Sequence, residues 1–186
     1  EFPAWWPDGS RLIFDSDALG IFQLFTFDLA TGAVAPLIPG PPVGDDAVAA
    51  ISPDGARVAF QSRRGGDAYQ VYTVGAVGND LVRLTFTSAR NDHPSWSPDG
   101  ATLAFVSERL GGRDLFLMNA DGTDQRPLVV GQGDIRLPRF SPDGRWIVFA
   151  SDRDGDFDLY LVSVDGLTLQ RVTDHVSDDY SPDWQP

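Results

Sequence analysis

A short phrase that recurs along the chain constrains the fold more than any other feature of the sequence. The phrase contains Pro-Asp-Gly and has four full copies, at Trp6–Gly9, Ser52–Gly55, Ser97–Gly100 and Ser141–Gly144. Its prolines are 46, 45 and 44 residues apart, and Pro186 follows after another 44. A period of about 40–50 residues indicates a repeat architecture in which each repeat forms one structural unit.

Each repeat contains four short apolar runs separated by turn residues. In the last full repeat the runs are Pro138–Phe140, Ile147–Phe149, Leu159–Tyr160 and a run that ends at Val172. Pro-Asp-Gly and Asp-Gly suit tight turns, because proline presets its own φ and glycine adopts a positive φ without strain. Each repeat therefore predicts a four-stranded antiparallel sheet, which is too small to be stable without a neighbour.

Sheets of this kind bury both faces when they repeat radially around an axis, as in a β-propeller. The second run of each repeat has large apolar outer positions around Ile, Ala, Ala or Val, which is typical of a strand packed on both sides. Apolar residues do not recur at the helical spacing of three and four, so we expect almost no helix. The predicted fold is all-β, a β-propeller of four-stranded antiparallel blades with four complete repeats and the inner strand of a fifth. The repeats span approximately residues 3–48, 49–92, 93–136 and 137–181, and the fifth starts at 182–186.

The number of blades is left open by the sequence, because Pro182–Trp184 would compete with Pro3–Trp5 for one place in a four-bladed ring. Residues 1–186 are a single domain with one terminal strand displaced, a fragment of a larger propeller, or a chain that completes its ring with other copies. We favour the fragment. An open sheet edge is a template for strand pairing, so we expect a truncated form to self-associate.

The repeats resemble the TolB-type β-propeller family, also called WD40-like Pro-Asp repeats. The last full repeat carries the family's motifs in order, at Ser141–Gly144, Ser151–Gly155, Leu159–Tyr160, Asp165–Gly166 and Val172–Thr173. The first repeat departs from the pattern, with Ser16–Ala18 where the family has an arginine, and the second has Ile51 in place of an aromatic residue. The resemblance covers essentially the whole chain. The resemblance is specific for the propeller fold but says little about function, because propellers host many activities.

The charge and composition exclude several classes of partner and site. The net charge is −13, which argues against nucleic-acid binding because phosphates would be repelled. The chain has no cysteine, so disulfides and thiolate metal sites are excluded. No apolar run is long enough to span a bilayer. The chain contains no signal peptide and starts with Glu1-Phe2 directly on the first strand, so we interpret the sequence as processed or trimmed.

Antiparallel topology places the candidate site at the end of the sheets where the repeats are linked. The linkers carry acids just before each inner strand, and these are the candidate residues for binding a partner or a cation: Asp45, Asp46, Asp92, Asp134, Asp178 and Asp179. The neighbouring loops carry Arg64, Arg109 and Arg153. One interpretation is that these arginines and acids pair between neighbouring blades and hold the ring in register. The other is that surplus acids form a negative ring that attracts a cation, an amine or a basic peptide segment.

One loop resembles a calcium loop but is not predicted to be a metal site. Asp152–Asp158 places acidic residues at alternate positions, as calcium loops do. A full EF-hand also needs a later bidentate glutamate and flanking helices, whereas Leu159–Leu161 leads into a strand. We interpret this segment as a solvated turn.

The sequence offers little material for catalysis. His93 and His175 lie at non-equivalent repeat positions, whereas lyases with a similar propeller use several histidines around a metal. The strained Gly-x-Ser-x-Gly turn of Ser-His-Asp hydrolases is also missing from the sequence. We therefore predict a protein that is not an enzyme and that has no cofactor and no metal.

By resemblance, the expected function is that of a non-enzymatic protein-interaction or scaffold module, in the periplasm or outside the cell. The alternative belongs to another class, a non-catalytic propeller that gates substrates in a hydrolase of the prolyl-oligopeptidase or dipeptidyl-peptidase type. A third interpretation, a standalone lyase or hydrolase, lacks a nucleophile or metal set. The expected partner is a protein, with self-association as a further expectation.

Overall fold

The computed structural model describes residues 2–66 and 68–184, which form sixteen β-strands and no helix. The strands form four four-stranded antiparallel sheets, each in chain order. The first sheet holds β1 (Ala4–Trp5), β2 (Arg11–Ser16), β3 (Gln23–Asp28) and β4 (Val34–Pro36). The second holds β5 (Asp46–Ile51), β6 (Arg57–Ser62), β7 (Gln70–Gly75) and β8 (Val82–Arg83). The third holds β9 (Asn91–Trp96), β10 (Thr102–Ser107), β11 (Asp114–Asn119) and β12 (Arg126–Val129). The fourth holds β13 (Ile135–Phe140), β14 (Trp146–Ser151), β15 (Asp158–Ser163) and β16 (Leu169–Arg171).

This arrangement confirms the predicted fold class, with one sheet for each complete repeat. Pro182–Trp184, where a fifth repeat was expected to begin, has no assigned strand, and Gln185 and Pro186 lie outside the described residues. The Trp184 indole nevertheless donates a hydrogen bond to the Arg139 carbonyl at 3.2 Å. In the described part of the chain, no helix has the length and apolarity needed to cross a membrane.

The chain divides into two compact units, Glu1–Pro94 and Ser95–Pro186, with the boundary inside β9. The central hairpin of each sheet has two faces, because side chains alternate across a strand. Face A of the first sheet holds Leu12, Phe14, Phe25 and Phe27. Its face B holds Ile13, Asp15, Leu24 and Thr26. The same names are used for the equivalent positions of the other three sheets.

The core of the first unit is face B of the first sheet packed on face A of the second. Ile13 and Leu24 meet Val58, Phe60, Tyr72 and Val74 in one buried cluster. The Trp6 indole joins the two sheets, since it donates a hydrogen bond to the Gly55 carbonyl at 3.1 Å.

The second unit repeats this packing, with face B of the third sheet on face A of the fourth. Ala104, Val106, Leu115 and Leu117 contribute face B of the third sheet. Ile147, Phe149, Tyr160 and Val162 contribute face A of the fourth. Small or aliphatic residues on one face therefore receive aromatic residues from the next sheet in both units.

The Ser-Pro-Asp-Gly phrase forms the same turn each time. In the third sheet the Ser97 hydroxyl donates to Asp99 at 2.5 Å and accepts the Thr102 N–H at 2.9 Å. Asp99 also accepts the Ala101 N–H at 2.9 Å. Gly100 has φ 71°, in the left-handed region that glycine adopts most readily. The turn thus satisfies its own polar groups, which explains the recurrence of serine and aspartate around the proline.

The turn aspartates are held in the charged form by these hydrogen bonds. The Ser141 hydroxyl, followed by the backbone N–H and side chain of Arg145, lowers the pKa of Asp143 from 3.8 to about 2. A lowered pKa means that the folded state binds the proton less readily than the unfolded chain. The contribution of this carboxylate to stability is therefore full above the unfolded pKa and is lost as the pH falls through the folded pKa.

Replacing this carboxylate should lower stability in a pH-dependent manner. We expect Asp143→Asn to lower the melting temperature at neutral pH, with a difference from wild type that shrinks between pH 3.8 and about 2. Thermal unfolding followed by circular dichroism across this range measures both effects. Asp17→Asn, in the exposed loop after β2, serves as control and should change the melting temperature much less. A difference that stays constant down to pH 2 would contradict this role for Asp143.

Candidate functional site

At one end of each sheet, the linker from the preceding strand meets the loop between the second and third strands; we call this the linker end. The amide that opens each inner strand donates to a carbonyl of that loop in the preceding sheet. Within the first unit, Asp46 N–H bonds Phe22 O at 2.9 Å and Asn91 N–H bonds Tyr69 O at 2.8 Å. Within the second, Ile135 N–H bonds Arg113 O at 3.1 Å. The predicted site residues lie at these ends, while the Pro-Asp-Gly and Asp-Gly turns lie at the opposite, turn end.

Asp46 is a buried acid with two partners on its own sheet. Its carboxylate accepts the Ser62 hydroxyl at 2.5 Å and pairs with the Arg64 guanidinium. Burial raises the pKa of Asp46, although Ser62 and Arg64 both favour the charged form. Because the carboxylate is 1% exposed, its role in the described contacts is internal, holding the start of β5 to the end of β6.

Asp45, the neighbouring acid, is partly exposed and lies within a cationic and aromatic cluster. It accepts the Phe22 N–H at 3.3 Å, and its carboxylate lies 3.7 Å from the Arg63 guanidinium. That guanidinium stacks on the Tyr69 ring at 4.4 Å, and Arg90 lies 5.1 Å from the same ring. Asp45, Arg63, Tyr69 and Arg90 are called the tyrosine cluster below.

Asp92 is completely buried and belongs to a different arrangement. It pairs with the Arg90 guanidinium, and its other oxygen lies 2.8 Å from Nδ1 of His93. It stands six residues before its repeat proline, whereas Asp45 and Asp46 stand eight and seven before theirs. The acids of the linkers are therefore similar in placement but do not occupy one repeat position.

The acids of the second unit are also engaged. Asp134 pairs with Arg136 at 2.6 Å and with Arg113 at 2.7 Å. Asp178 is exposed and accepts the Phe157 N–H at 3.0 Å. Asp179 lies 3.0 Å from Nδ1 of His175, and this hydrogen bond is the main reason that the pKa of Asp179 is lowered. Binding of a cation or a partner by the six acids stays a prediction, for which Asp45, Asp134, Asp178 and Asp179 have accessible side chains.

The repeated arginines lie over aromatic rings on face A of their own sheet, two rings each for Arg64 and Arg109 and one for Arg153. Arg109 lies 5.4 Å from Phe105 and 4.7 Å from Phe116, and it also bonds Gln125 at 2.8 Å. Arg64 lies 5.8 Å from Phe60 and 6.0 Å from Tyr72. Arg153 lies 5.4 Å from Tyr160. Cations over aromatic faces are attracted by the ring quadrupole, so these arginines reinforce single sheets; their predicted inter-blade role stays a prediction.

The carboxylates of the calcium-like loop, Asp152–Asp158, bond different groups of this chain. Asp152 accepts the Asp134 N–H at 2.6 Å, Asp154 accepts the Tyr160 hydroxyl at 2.6 Å, and Asp158 pairs with Arg171. Burial, together with Asp154, raises the pKa of Tyr160 to about 12. Among residues 2–66 and 68–184 no group of three His, Cys, Asp or Glu side chains is arranged to hold a metal ion.

A left-handed residue in every inner strand was not predicted from the sequence. The residue five positions before each repeat proline has φ between 44° and 56°: Phe2, Val48, His93, Leu137 and Ser181. The pairing register of β5 and β13 shifts at this point, so the position is a β-bulge. Such a conformation costs about 1–3 kcal/mol for a residue other than glycine, so the surrounding packing must impose it. Of these residue types only histidine is enriched in the left-handed region, so the constant offset from the proline was the sequence signal that could have indicated this position.

Arg63, Tyr69 and Arg90 of the tyrosine cluster were also missed, although Asp45 was predicted. Arg63 precedes the repeated Arg64, and Arg90 stands where other linkers have Asp45 or Asp134. Burial raises the pKa of Tyr69, so its hydroxyl remains protonated well above neutral pH.

The family of the chain follows from its similarity to known sequences. A family model described as the TolB beta propeller domain matches residues 89–186, more than half of the chain. The chain belongs to the TolB β-propeller family. The resemblance seen in the repeats is thereby confirmed.

The curated relatives of the chain include TolB proteins. The Tol-Pal system protein TolB of Bordetella pertussis is 34% identical over 123 residues, which are 66% of this chain and 27% of that protein. The Bordetella parapertussis protein of the same name matches equally. The matched region therefore spans about a quarter of these TolB proteins, as the 27% coverage shows.

Solved TolB structures share the fold over nearly the whole chain. Putative TolB from Agrobacterium tumefaciens has a TM-score of 0.84 and 30% identity, covering 97% of this chain and 64% of that one. TolB from Acinetobacter baumannii has a TM-score of 0.82 and 20% identity, with coverages of 97% and 45%. An oligogalacturonate lyase in complex with manganese has a TM-score of 0.70 at 20% identity, covering 92% and 52%. At that identity the lyase shows a similar fold alone.

Removing the cation beside buried Asp46 should be costly, because the carboxylate would be left without its charge partner. We expect Arg64→Met to lower the free energy of unfolding by about 3 kcal/mol. Asp46→Asn should cost less, since burial already raises the pKa of Asp46 and opposes its charge. The double variant should recover much of the loss of Arg64→Met. Urea unfolding at neutral pH measures all three.

Arg145→Met provides the matched control, because Arg145 pairs with Asp143 at an exposed position, with 79% of its side chain accessible. We expect this change to cost no more than about 0.5 kcal/mol. Equal losses for Arg64→Met and Arg145→Met would contradict a special role for the buried pair.

Proposed function

We propose that the chain is a non-enzymatic protein-interaction module that acts in the periplasm or outside the cell. Its curated relatives are named as Tol-Pal system proteins, and a component of a multi-protein system works through contacts with other proteins. The relatives extend well beyond the matched region, so this proposal concerns the part of the function carried by the propeller repeats. The hydrolase-gating alternative has no observation in its favour and is not proposed.

The tyrosine cluster is the observation that carries the proposal. Tyr69, Arg63 and Arg90 are of the residue types that contribute most of the binding energy in protein interfaces, where tyrosine and arginine are enriched. The side chains of Arg63 and Arg90 are 46% and 38% exposed, so they can reach a partner. Both guanidinium groups lie over the Tyr69 ring, and these contacts limit the rotamers of Tyr69 and lower the entropy lost on binding.

The charge around the cluster supports one kind of partner. The chain carries a net charge of −13, and Asp45 adds an accessible carboxylate beside Arg63. A basic segment would be attracted to the acidic surface at long range. Its own acidic or carbonyl groups would then meet the arginines at short range. We therefore propose an extended protein segment with a net positive charge as the ligand of this end of the second sheet.

Replacement of Tyr69 by alanine tests this function. The chain is immobilised and exposed to cell-envelope extract, and the retained proteins are quantified by mass spectrometry and then purified for titration. We expect one stoichiometric partner, with a dissociation constant that rises about tenfold or more for Tyr69→Ala, because a central aromatic anchor is lost. The control Val77→Ala lies on the turn end of the same sheet, where Val77 is 76% exposed, and should bind as wild type.

Two results would contradict the proposal. One is that the extract yields no stoichiometric partner. The other is that a purified partner binds wild type, Tyr69→Ala and Val77→Ala with the same affinity.

A further inference from the structure

The outer strands of the fourth sheet contain an arginine and a tyrosine that are both satisfied by acids of the same sheet. Arg171 pairs with Tyr160 across β15 and β16. Asp154 accepts the Tyr160 hydroxyl at 2.6 Å and lies 4.0 Å from the Arg171 guanidinium. Arg171 also contacts Asp158 and, at 2.9 Å, Asp174. The positive charge and the hydroxyl of this sheet therefore have internal carboxylate partners.

The second sheet keeps the arginine and the tyrosine but has a neutral residue at each of the three acid positions. Arg83 pairs with Tyr72 across β7 and β8, as Arg171 pairs with Tyr160. The residues at the positions of the three acids are, in the same order, Gly65, Gln70 and Phe86. The carboxylates that satisfy the fourth sheet thus have no counterpart at these positions of the second.

The backbone and the residue spacing show that these positions correspond. Gly65 and Asp154 each precede a glycine whose N–H bonds the carbonyl three residues earlier at 3.0 Å. Phe86 and Asp174 each stand three residues after the arginine of the outer strand. In the first and third sheets a proline pairs with the aromatic residue, so those sheets have no equivalent arginine. The comparison therefore concerns the second and fourth sheets.

Arg83 differs in its partners from the other arginines at the linker end of the second sheet. Three of these are each paired with an aspartate: Arg63, Arg64 and Arg90. Within residues 2–66 and 68–184, Arg83 pairs with no acid. Its Nε donates to the Thr85 carbonyl at 2.6 Å, which orients the guanidinium and leaves the terminal amino groups for a ligand. The Phe86 ring lies 5.1 Å from the guanidinium and covers the cation without neutralising it.

The missing side chain at Gly65 brings Arg83 and Tyr72 together at the surface. A Cβ on Gly65 would lie 2.6 Å from the Tyr72 hydroxyl and 2.7 Å from Nη1 of Arg83. Both groups therefore converge on the point at which the Asp154 side chain begins in the fourth sheet. The Tyr72 hydroxyl forms no hydrogen bond within the described residues, although Tyr72 is 5% exposed. Gly65 is exposed, so a group from solvent can approach this point.

We propose that Arg83 and Tyr72 form a binding site for the carboxylate of a ligand. The carboxylate takes the role that Asp154 has in the fourth sheet, accepting hydrogen bonds from the terminal amino groups of Arg83 and from the Tyr72 hydroxyl. A guanidinium matches a carboxylate with two parallel hydrogen bonds, and such charge-assisted bonds are about twice as strong as neutral ones. A side chain or terminus of a protein and a small organic acid present the same group. Neither residue belongs to the tyrosine cluster, so the site does not depend on the proposed function.

The first test follows the arginine Nε–H signals and the Gly65 amide signal of the isotope-labelled chain by NMR, during titration with acetate at constant ionic strength. We expect the Arg83 signal to shift saturably, whereas Arg171, whose carboxylate partners are internal, keeps its position. Acetamide has the same shape without the charge and should shift neither signal. The exposed Arg145 measures unspecific association and should need about tenfold more acetate.

Substitutions then show whether the named groups hold the ligand. Arg83→Gln should abolish the acetate-dependent shift of the Gly65 amide. Tyr72→Phe removes the hydroxyl alone and should raise the dissociation constant about fivefold. Arg126→Gln is the matched control, because Arg126 lies on the outer strand of the third sheet with 48% of its side chain exposed, and it should bind acetate as wild type.

Restoring the internal carboxylate tests the comparison between the two sheets. Gly65→Asp places an acid where the fourth sheet has Asp154, and the ends of the Tyr72 and Arg83 side chains can move to admit it. We expect this variant to have a higher melting temperature than wild type and to lose the acetate-dependent shift of Arg83. Gly65→Asn has the same shape without the charge and should raise the melting temperature less. A Gly65→Asp chain that binds acetate as wild type does would contradict the proposal.

The source of the carboxylate is distinguished with the protein partner recovered from cell-envelope extract. If a protein supplies the carboxylate, Arg83→Gln should weaken that partner about tenfold and acetate should compete with it. If a small organic acid supplies it, partner binding should be the same for Arg83→Gln and wild type. The acetate titration does not use the partner, so this site and the proposed function can fail separately. An Arg83 signal that does not move with acetate, or that moves no more readily than that of Arg145, would overturn the proposal.

Discussion

The packing of one sheet's face B on the next sheet's face A is the interaction on which the rest of the structure depends. A sheet of four short strands buries too little apolar surface to be stable alone, so each repeat needs a neighbour on its flat sides. The chain meets this need with a division of residue types, in which aromatic pairs such as Phe60 and Tyr72 lie against aliphatic residues such as Ile13 and Leu24. The equivalent aromatic pair of the first sheet, Phe14 and Phe25, is partly exposed.

The polar residues of the repeat form the hydrogen bonds and ion pairs at the two ends of these sheets. At the turn end, serine and aspartate of the Pro-Asp-Gly phrase bond the backbone of the turn and hold the aspartate charged. At the linker end, Asp46 binds Ser62 and Arg64 and holds the inner strand to the next one. Recurrence of an acid is therefore not evidence of a ligand site by itself, because Asp46 and Asp92 are engaged within the fold. Arg63 and Arg90 of the tyrosine cluster do not recur and have exposed side chains, which is why we assign them to the proposed partner contact.

Much of the fold was predictable because its signals are local and repeated. Pro-Asp-Gly marked the first turn of each sheet, and the large residues on both sides of Ala59 or Ala104 indicated strands packed on two faces. The candidate site was predictable in place but not in detail, since the linkers and loops were correctly assigned to one end of each sheet. Which acids are buried was not predictable, because Asp45 and Asp46 differ in exposure only through the direction of their side chains relative to β6. The left-handed conformation of Val48 and Leu137 was not predictable for a related reason, because long-range packing and not residue type imposes the bulge.

The sequence by itself determined the number of complete sheets, their strand order and the composition of their turns, because each of these depends on residues close together in the chain. Only the tertiary structure decided which side of each hairpin is covered and which charges are buried. These outcomes depend on whether a neighbouring sheet is present, and a repeat unit carries the same residues in either case. Face A illustrates this, since Phe25 of the first sheet is partly exposed, whereas the equivalent Phe116 of the third sheet is 3% exposed.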